Sequence, residues 1–160
     1  MRQADPTNPT VQNLARRLLA HEAGNGGQED QEDQGDVGAL ADAAERAGDR
    51  LRLHLAKIIG PAGFQALLAR ALILAKAEFS WLAEVRVERD GALSGLRAAA
   101  EGRERAEVTA GFAAVLAHIL GLLVVFIGED LTRRLVRQVW PEADLGEPES
   151  GSEEEEAKRR

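Results

Sequence analysis

The sequence predicts an all-α protein: a four- or five-helix bundle around one long, largely buried C-terminal helix. Two observations predict this class. Alanine and leucine dominate, aromatic residues make up only 4% of the chain and tyrosine is absent, a mix that favours helices over strands. Apolar residues also recur at three- and four-residue spacing along most of the chain, which is the period of one helix face.

The length of 160 residues suits one domain, and composition divides the chain into four parts. We predict an N-terminal arm with a short amphipathic helix (1–23), a flexible acidic linker (24–36), a helical domain (37–141) and a disordered acidic tail (142–160). The helical domain carries 14 Lys or Arg and 12 Asp or Glu, whereas the other parts together carry 6 and 15. The net charge of −7 is therefore the sum of +2 in the predicted domain and −9 outside it.

Composition also excludes several functional classes. The chain has no cysteine, so disulfides, thiolate catalysis and cysteine-based zinc sites are excluded. A nearly neutral domain lacks the clustered Lys and Arg that phosphate contacts need, so we expect no nucleic-acid partner. The N-terminal residues lack the apolar stretch of a signal peptide, which together with the missing cysteine favours a cytoplasmic location. No glycine-rich phosphate loop or nucleophile elbow occurs. This favours a non-catalytic protein but leaves enzymatic activity open, and we expect no bound metal or cofactor.

Three helices are predicted in the first half of the chain. The first, in the segment TVQNLARRLLAHEA, has Thr10 as a favourable N-cap. The second begins after Asp36, another favourable N-cap, and runs through Ile59. Proline cannot continue a helix, so Gly60–Pro61 ends the second helix, while Pro61 also suits the first turn of the third. We expect the second and third helices to be antiparallel neighbours or a sharply bent pair.

One segment is strand-like. Val85 and Val87 alternate with charged residues, and Asp90–Gly91 is a turn signal. A strand without a partner is marginal, so we interpret it as an extended connection or as an edge that pairs with a second copy. The following segment, LSGLRAAAEG, predicts a weak helix.

The C-terminal part predicts one long helix from Arg103 to Trp140, which Pro141 ends. At 1.5 Å per residue it would be roughly 55 Å long, more than a compact core of this size requires. One end is therefore expected to project or to pair with a partner.

Within this helix, the stretch VTAGFAAVLAHILGLLVVFIG, residues 108–128, contains no charged side chain. It is long enough to cross a bilayer. Against a span, His118 lies near its midpoint, where a polar group is costly, no Trp, Tyr or Lys brackets the stretch, and Glu129–Asp130 follow directly. These features favour the buried helix of a soluble bundle, with a single-span membrane-associated protein as the alternative.

The same helix carries the predicted interaction surface. A ridge of small residues allows a second helix to approach closely, and an apolar line continues toward the C-terminus. We predict that these residues contact a second copy or another protein partner: Ala113, Ala117, Gly121, Leu131, Leu135, Val139 and Trp140. The leading hypothesis is a non-catalytic interaction or assembly module that self-associates, such as a homodimer.

Histidines supply the candidates for chemistry. His118, in the most polar sector of its helix, is a candidate ligand for a cofactor or a proton-responsive group; the alternative is a histidine at the core edge, satisfied by one hydrogen bond. His54 and Lys57, in HLAKI, resemble the His-x-x-Lys signature of histidine phosphotransfer modules, although those modules usually have a small residue where Ile58 stands. The resemblance implies a phosphotransfer-like signalling bundle as a further alternative.

Overall fold

The structure, a computed structural model, describes residues 9–26 and 37–141. Within these ranges the prediction of an all-α fold is confirmed. The predicted tail, the predicted N-cap Asp36 and all but the first three residues of the predicted linker lie outside the described residues. Five α-helices are described: α1 Pro9–Gly26, α2 Val37–Glu78, α3 Leu96–Ala100, α4 Arg105–Ile127 and α5 Glu129–Val139. A 3₁₀ turn, Ser80–Glu84, and two short strands, β1 Arg86–Val87 and β2 Leu93–Ser94, connect α2 to α3.

Helix α2 contains a sharp break at the predicted stop signal. Gly60 has φ 85° and ψ 159°, a region that is essentially restricted to glycine, and Pro61 begins the next helical turn. The break divides α2 into a first limb, 37–59, and a second limb, 61–78. A Cβ placed on Gly91 of the hairpin turn would lie 3.1 Å from Arg52 and 3.4 Å from Phe64. The hairpin turn thus lies close to both limbs.

The strand-like segment has a partner within the same chain. Strand β1 pairs antiparallel with β2, with Arg86 opposite Ser94 and Val87 opposite Leu93. The Gly91 amide donates to the carbonyl of Glu88 at 2.9 Å and closes the predicted turn. The prediction of an unpaired strand was therefore wrong: β2 spans two residues, too few to show an alternating pattern.

The prediction of one long C-terminal helix was also wrong. Helix α4 ends at Ile127, and Gly128, with φ 93° and ψ 160°, turns the chain before α5 begins. The Gly128 carbonyl accepts hydrogen bonds from the Thr132 amide at 3.1 Å and the Thr132 hydroxyl at 2.8 Å, which starts α5. The turn lets α5 pack against α4 and α2. The expected projection of one end of a long helix is therefore not seen in residues 105–139.

Helix α4 is the centre of the core. Helices α1 and α2 both pack against it, and most of its residues are buried. The predicted N-terminal arm contributes to the same core, because Ala15, Leu18 and Leu19 of α1 are fully buried there. Helix α1 begins at Pro9, so Thr10 is already helical and is not the N-cap. Together the helices enclose one continuous apolar cluster.

Candidate functional site

The junction of α4 and α5 leaves large apolar side chains in contact with solvent. Val125 is 63% exposed, Phe126 65% and Leu131 50%, and we call these three residues the apolar corner. Gly128, with φ 93°, redirects the chain between Phe126 and Leu131. Single exposed apolar residues are common; here three large ones lie within seven positions of one another in the sequence.

Charge is segregated along the exposed face of α5. Glu129 and Asp130 lie in its first turn, where the helix dipole favours negative charge. Of the exposed arginines, Arg134 lies at the middle of the helix and Arg137 in its last turn. Arg133 forms an ion pair with Glu129 at 2.8 Å. The acidic residues of α5 therefore precede Leu131, and its exposed arginines follow it.

A second apolar face lies on the second limb of α2. Its exposed apolar residues recur at helical spacing, and the exposed Arg70 interrupts them between the second and the third: Ala62, Ala66, Ile73 and Ala77. The opposite face packs into the core through Phe64, Leu68, Ala71 and Ala75. We call the exposed residues Ala62, Ala66, Ile73 and Ala77 the outer stripe. Its side chains are mostly small, so it offers less apolar area per residue than the corner.

Two described helices, α2 and α4, are long and apolar enough to cross a membrane when only length and composition are considered. The most apolar window of α2 is 33% buried inside the protein and that of α4 is 61% buried. The central helix of a soluble bundle meets the same criterion, so the property alone does not identify a span.

The structure covers most of the predicted interaction residues with this chain's own helices. Six of the seven are buried: Ala113, Ala117, Gly121, Leu135, Val139 and Trp140. A second copy would reach them only by displacing this chain's own helices. The small residues of α4 instead serve close approach within the molecule. At Gly111, for example, an added Cβ would overlap the ring of Trp81. Of the predicted set, only Leu131 remains available, and it belongs to the apolar corner.

His118 is buried and faces the end of α2. Its Nε2 lies 3.3 Å from the Glu78 carboxylate, whereas its Nδ1 has no hydrogen-bond partner among the described groups. The indole Nε1 of Trp81 is likewise buried without a partner in the described part of the chain. The Trp81 ring packs against Phe112 with centroids 5.5 Å apart, and the Arg103 guanidinium lies 5.3 Å above it. His118 thus resembles the second alternative, a histidine at the core edge that is held by one contact, here with Glu78.

His54 and Lys57 lie on the first limb of α2. The Nδ1 of His54 is 3.1 Å from the carbonyl oxygen of Arg50, one turn earlier in the same helix. His54 is half-buried and Lys57 is exposed. This contact orients the imidazole ring of His54. The phosphotransfer hypothesis stays a prediction.

A buried carboxylate that the sequence does not reveal joins three helices. Glu22 of α1 is fully buried, and its carboxylate lies 3.3 Å from Nε of Arg46 and 2.6 Å from Nε of Arg50, both on α2. The indole of Trp140 donates to it at 2.8 Å. Arg50 also donates to the Val139 carbonyl at the end of α5. We call these groups the Glu22 cluster. Glu22, the arginine pair Arg46 and Arg50, and Trp140 lie far apart in the sequence. No local motif therefore marks the Glu22 cluster.

No three His, Asp or Glu residues in the ranges 9–26 and 37–141 are grouped so that they could hold a metal ion. Comparison of the chain with models of known protein families, with curated proteins and with solved structures gave no significant match. The surfaces and clusters described above are therefore the basis on which function is inferred.

Proposed function

We propose that this protein is a non-catalytic helical assembly module that self-associates through the apolar corner. The exposure of Val125, Phe126 and Leu131 is the observation that supports this proposal. The other apolar residues of the chain already form a continuous core. The exposure of these three side chains is therefore not the result of a missing core. Covering them with a partner would remove apolar surface from water, which favours association.

The partner we propose is a second copy of the chain. Most soluble oligomers are closed homo-oligomers, and the twofold dimer is the commonest form. In a twofold dimer the same patch contacts itself, so a compact patch with an apolar centre and charges at its border is suitable. The corner and the flanking charges of α5 have this composition.

Sedimentation velocity over a wide concentration range tests the proposal. We expect a reversible increase in mass with concentration for the unmodified chain in detergent-free buffer. Phe126→Glu should weaken the association at least about ten-fold, because an ionised carboxylate opposes desolvation of the interface. Leu53→Glu is the matched control, since Leu53 is a similarly exposed apolar residue on α2. A chain that stays monomeric up to millimolar concentration contradicts the proposal.

The outer stripe supports one second candidate function, association with a membrane. The most apolar window of α2 is only one-third buried, and its outward side chains are apolar except for Arg70 and the ends. In this alternative the chain, as a membrane-associated helical protein, would co-float with neutral phosphatidylcholine vesicles. Recovery in the soluble fraction, without flotation, counts against this alternative and leaves the assembly proposal unaffected.

A further inference from the structure

We infer that two copies of this chain pair through antiparallel α5 helices, with the twofold axis passing near Leu131. This inference rests on the proposed function, because it identifies the surface and the orientation by which self-association occurs. Three features of α5 carry it: an outward face, an unpaired set of charges, and the order of those charges along the helix.

The outward face is set by packing. Helix α5 buries Thr132, Leu135, Val136 and Val139 against the bundle. Successive residues are separated by 100° around a helix, so Asp130, Leu131, Arg134 and Gln138 fall within one 100° sector. All four of these residues are exposed. A partner that approaches this sector meets the apolar Leu131 together with charged neighbours.

The charges on this sector are available to a partner. Asp130 and Arg134 in this sector, and Arg137 just outside it, form no ion pair with any group in residues 9–26 or 37–141, whereas Glu129 and Arg133 pair with each other at 2.8 Å. Asp130 lies at the start of the helix and the two arginines lie beyond Leu131. The acidic and basic ends are thus separated by an apolar side chain, which is the order that a self-complementary surface needs.

The order of charges decides the orientation. Parallel α5 helices would place Asp130 beside its own equivalent and Arg134 beside its own, and both contacts would repel. Antiparallel helices whose twofold axis lies level with position 132, next to Leu131, place Asp130 of each copy opposite Arg134 of the other. Such a twofold arrangement makes the attractive contact twice and brings the two Leu131 side chains together.

Apolar area and charge have different roles in this interface. Exposed ion pairs contribute little individually, so the affinity comes chiefly from burying Leu131 with Val125 and Phe126, which lie just before the Gly128 turn. The charges select the antiparallel orientation and disfavour the parallel one. Because the charges stay near solvent, association should weaken as salt concentration rises.

Charge reversal tests the orientation. In Asp130→Arg the antiparallel contacts become arginine against arginine, and in Arg134→Asp they become aspartate against aspartate. Each variant alone should therefore lose at least about ten-fold in self-association. An equimolar mixture of the two variants regains both attractive contacts, since each position 130 then faces a position 134 of opposite charge, and should form a heterodimer. Native mass spectrometry with one variant labelled with ¹⁵N measures the heterodimer directly, and far-UV circular dichroism checks that each variant is folded.

Each outcome identifies what has failed. If the unmodified chain is monomeric at every concentration, the proposed self-association fails, and the inference fails with it. If the unmodified chain associates but both single variants associate equally well, self-association stands and α5 is not the contact. If both variants weaken association and their mixture does not form a heterodimer, α5 contributes but the antiparallel opposition of Asp130 and Arg134 is wrong.

Discussion

Replacing Glu22 with alanine is expected to lower the free energy of unfolding by about 3 kcal/mol. Glu22 is fully buried, and its carboxylate accepts hydrogen bonds from Arg46 and the indole of Trp140 and forms an ion pair with Arg50. These donors lie on α2 and just after α5, so the side chain joins the first helix to the last. Its loss removes a contact between elements that are distant in the sequence.

The size of this loss depends on which partners of Glu22 remain buried, and therefore unhydrated, once the carboxylate is removed. Trp140 is 1% exposed, and leaving its indole N–H buried and unpaired costs about 1–3 kcal/mol. Breaking a buried ion pair costs about 3–5 kcal/mol when the remaining charge stays buried. Here the side chains of Arg46 and Arg50 are 39% and 35% exposed, so both can turn toward water. Their hydration places the expected loss at the lower end of that range.

Urea unfolding followed by far-UV circular dichroism measures this loss. Glu129→Ala is the matched control, because Glu129 forms an ion pair with Arg133 on the surface, and its removal should change stability by less than about 0.5 kcal/mol. Glu22→Gln keeps one acceptor for the Trp140 indole, so its loss of stability should lie between those of Glu22→Ala and Glu129→Ala. The reasoning is refuted if Glu22→Ala costs less than about 1 kcal/mol or no more than Glu129→Ala.

Three further predictions concern two glycines and one carboxylate. Gly111→Ala should lower the free energy of unfolding by about 1–3 kcal/mol, because the added Cβ would overlap the buried ring of Trp81; urea unfolding measures it, and a neutral result would mean that the ring moves freely. Gly128→Ala should cost about 1–3 kcal/mol through backbone strain alone, since its φ is 93° and its Cβ would meet no atom within 4 Å. Gly24→Ala, equally free of contacts but helical, is the control for both glycine variants and should be neutral or stabilising. Burial and two neighbouring aspartates raise the pKa of Glu45, so its ionised form destabilises the fold, and Glu45→Gln should increase stability at pH 7. This advantage should shrink as pH falls through the folded-state pKa, where Glu45 becomes protonated; an advantage that grows at low pH contradicts the assignment.

Local signals in the sequence predicted the helices and one of their two main breaks. The apolar spacing marks α1, both limbs of α2 and α4, and Gly60–Pro61 marks the break because proline prevents the second helix from continuing. Gly128 carries no such signal. Glycine is compatible with a helix at modest cost, and the apolar period of α4 continues into α5 without interruption. The sequence therefore predicted one helix where the structure has two.

The candidate site was predictable only in part, for a related reason. Leu131 was among the predicted interaction residues, but Val125 and Phe126 were assigned to a helix that other helices would cover. Which side of α4 is covered depends on where α1 and α2 pack, and that choice involves contacts between residues far apart in sequence. The Glu22 cluster, in which Glu22 meets Trp140 across 118 positions, escaped prediction for the same reason.

The sequence by itself determined the helical class of this protein, the break between the limbs of α2 and the presence of one helix apolar enough to form the core. These properties depend on side-chain spacing and on backbone preferences within a few residues. Only the tertiary structure decided that Gly128 adopts φ 93° and that Glu22 meets two arginines and a tryptophan. It also decided that the small residues of α4 face their own chain, while Val125, Phe126 and Leu131 face outward. A glycine permits several backbone conformations and an apolar face permits several partners, so the burial gained by the whole bundle selects among them.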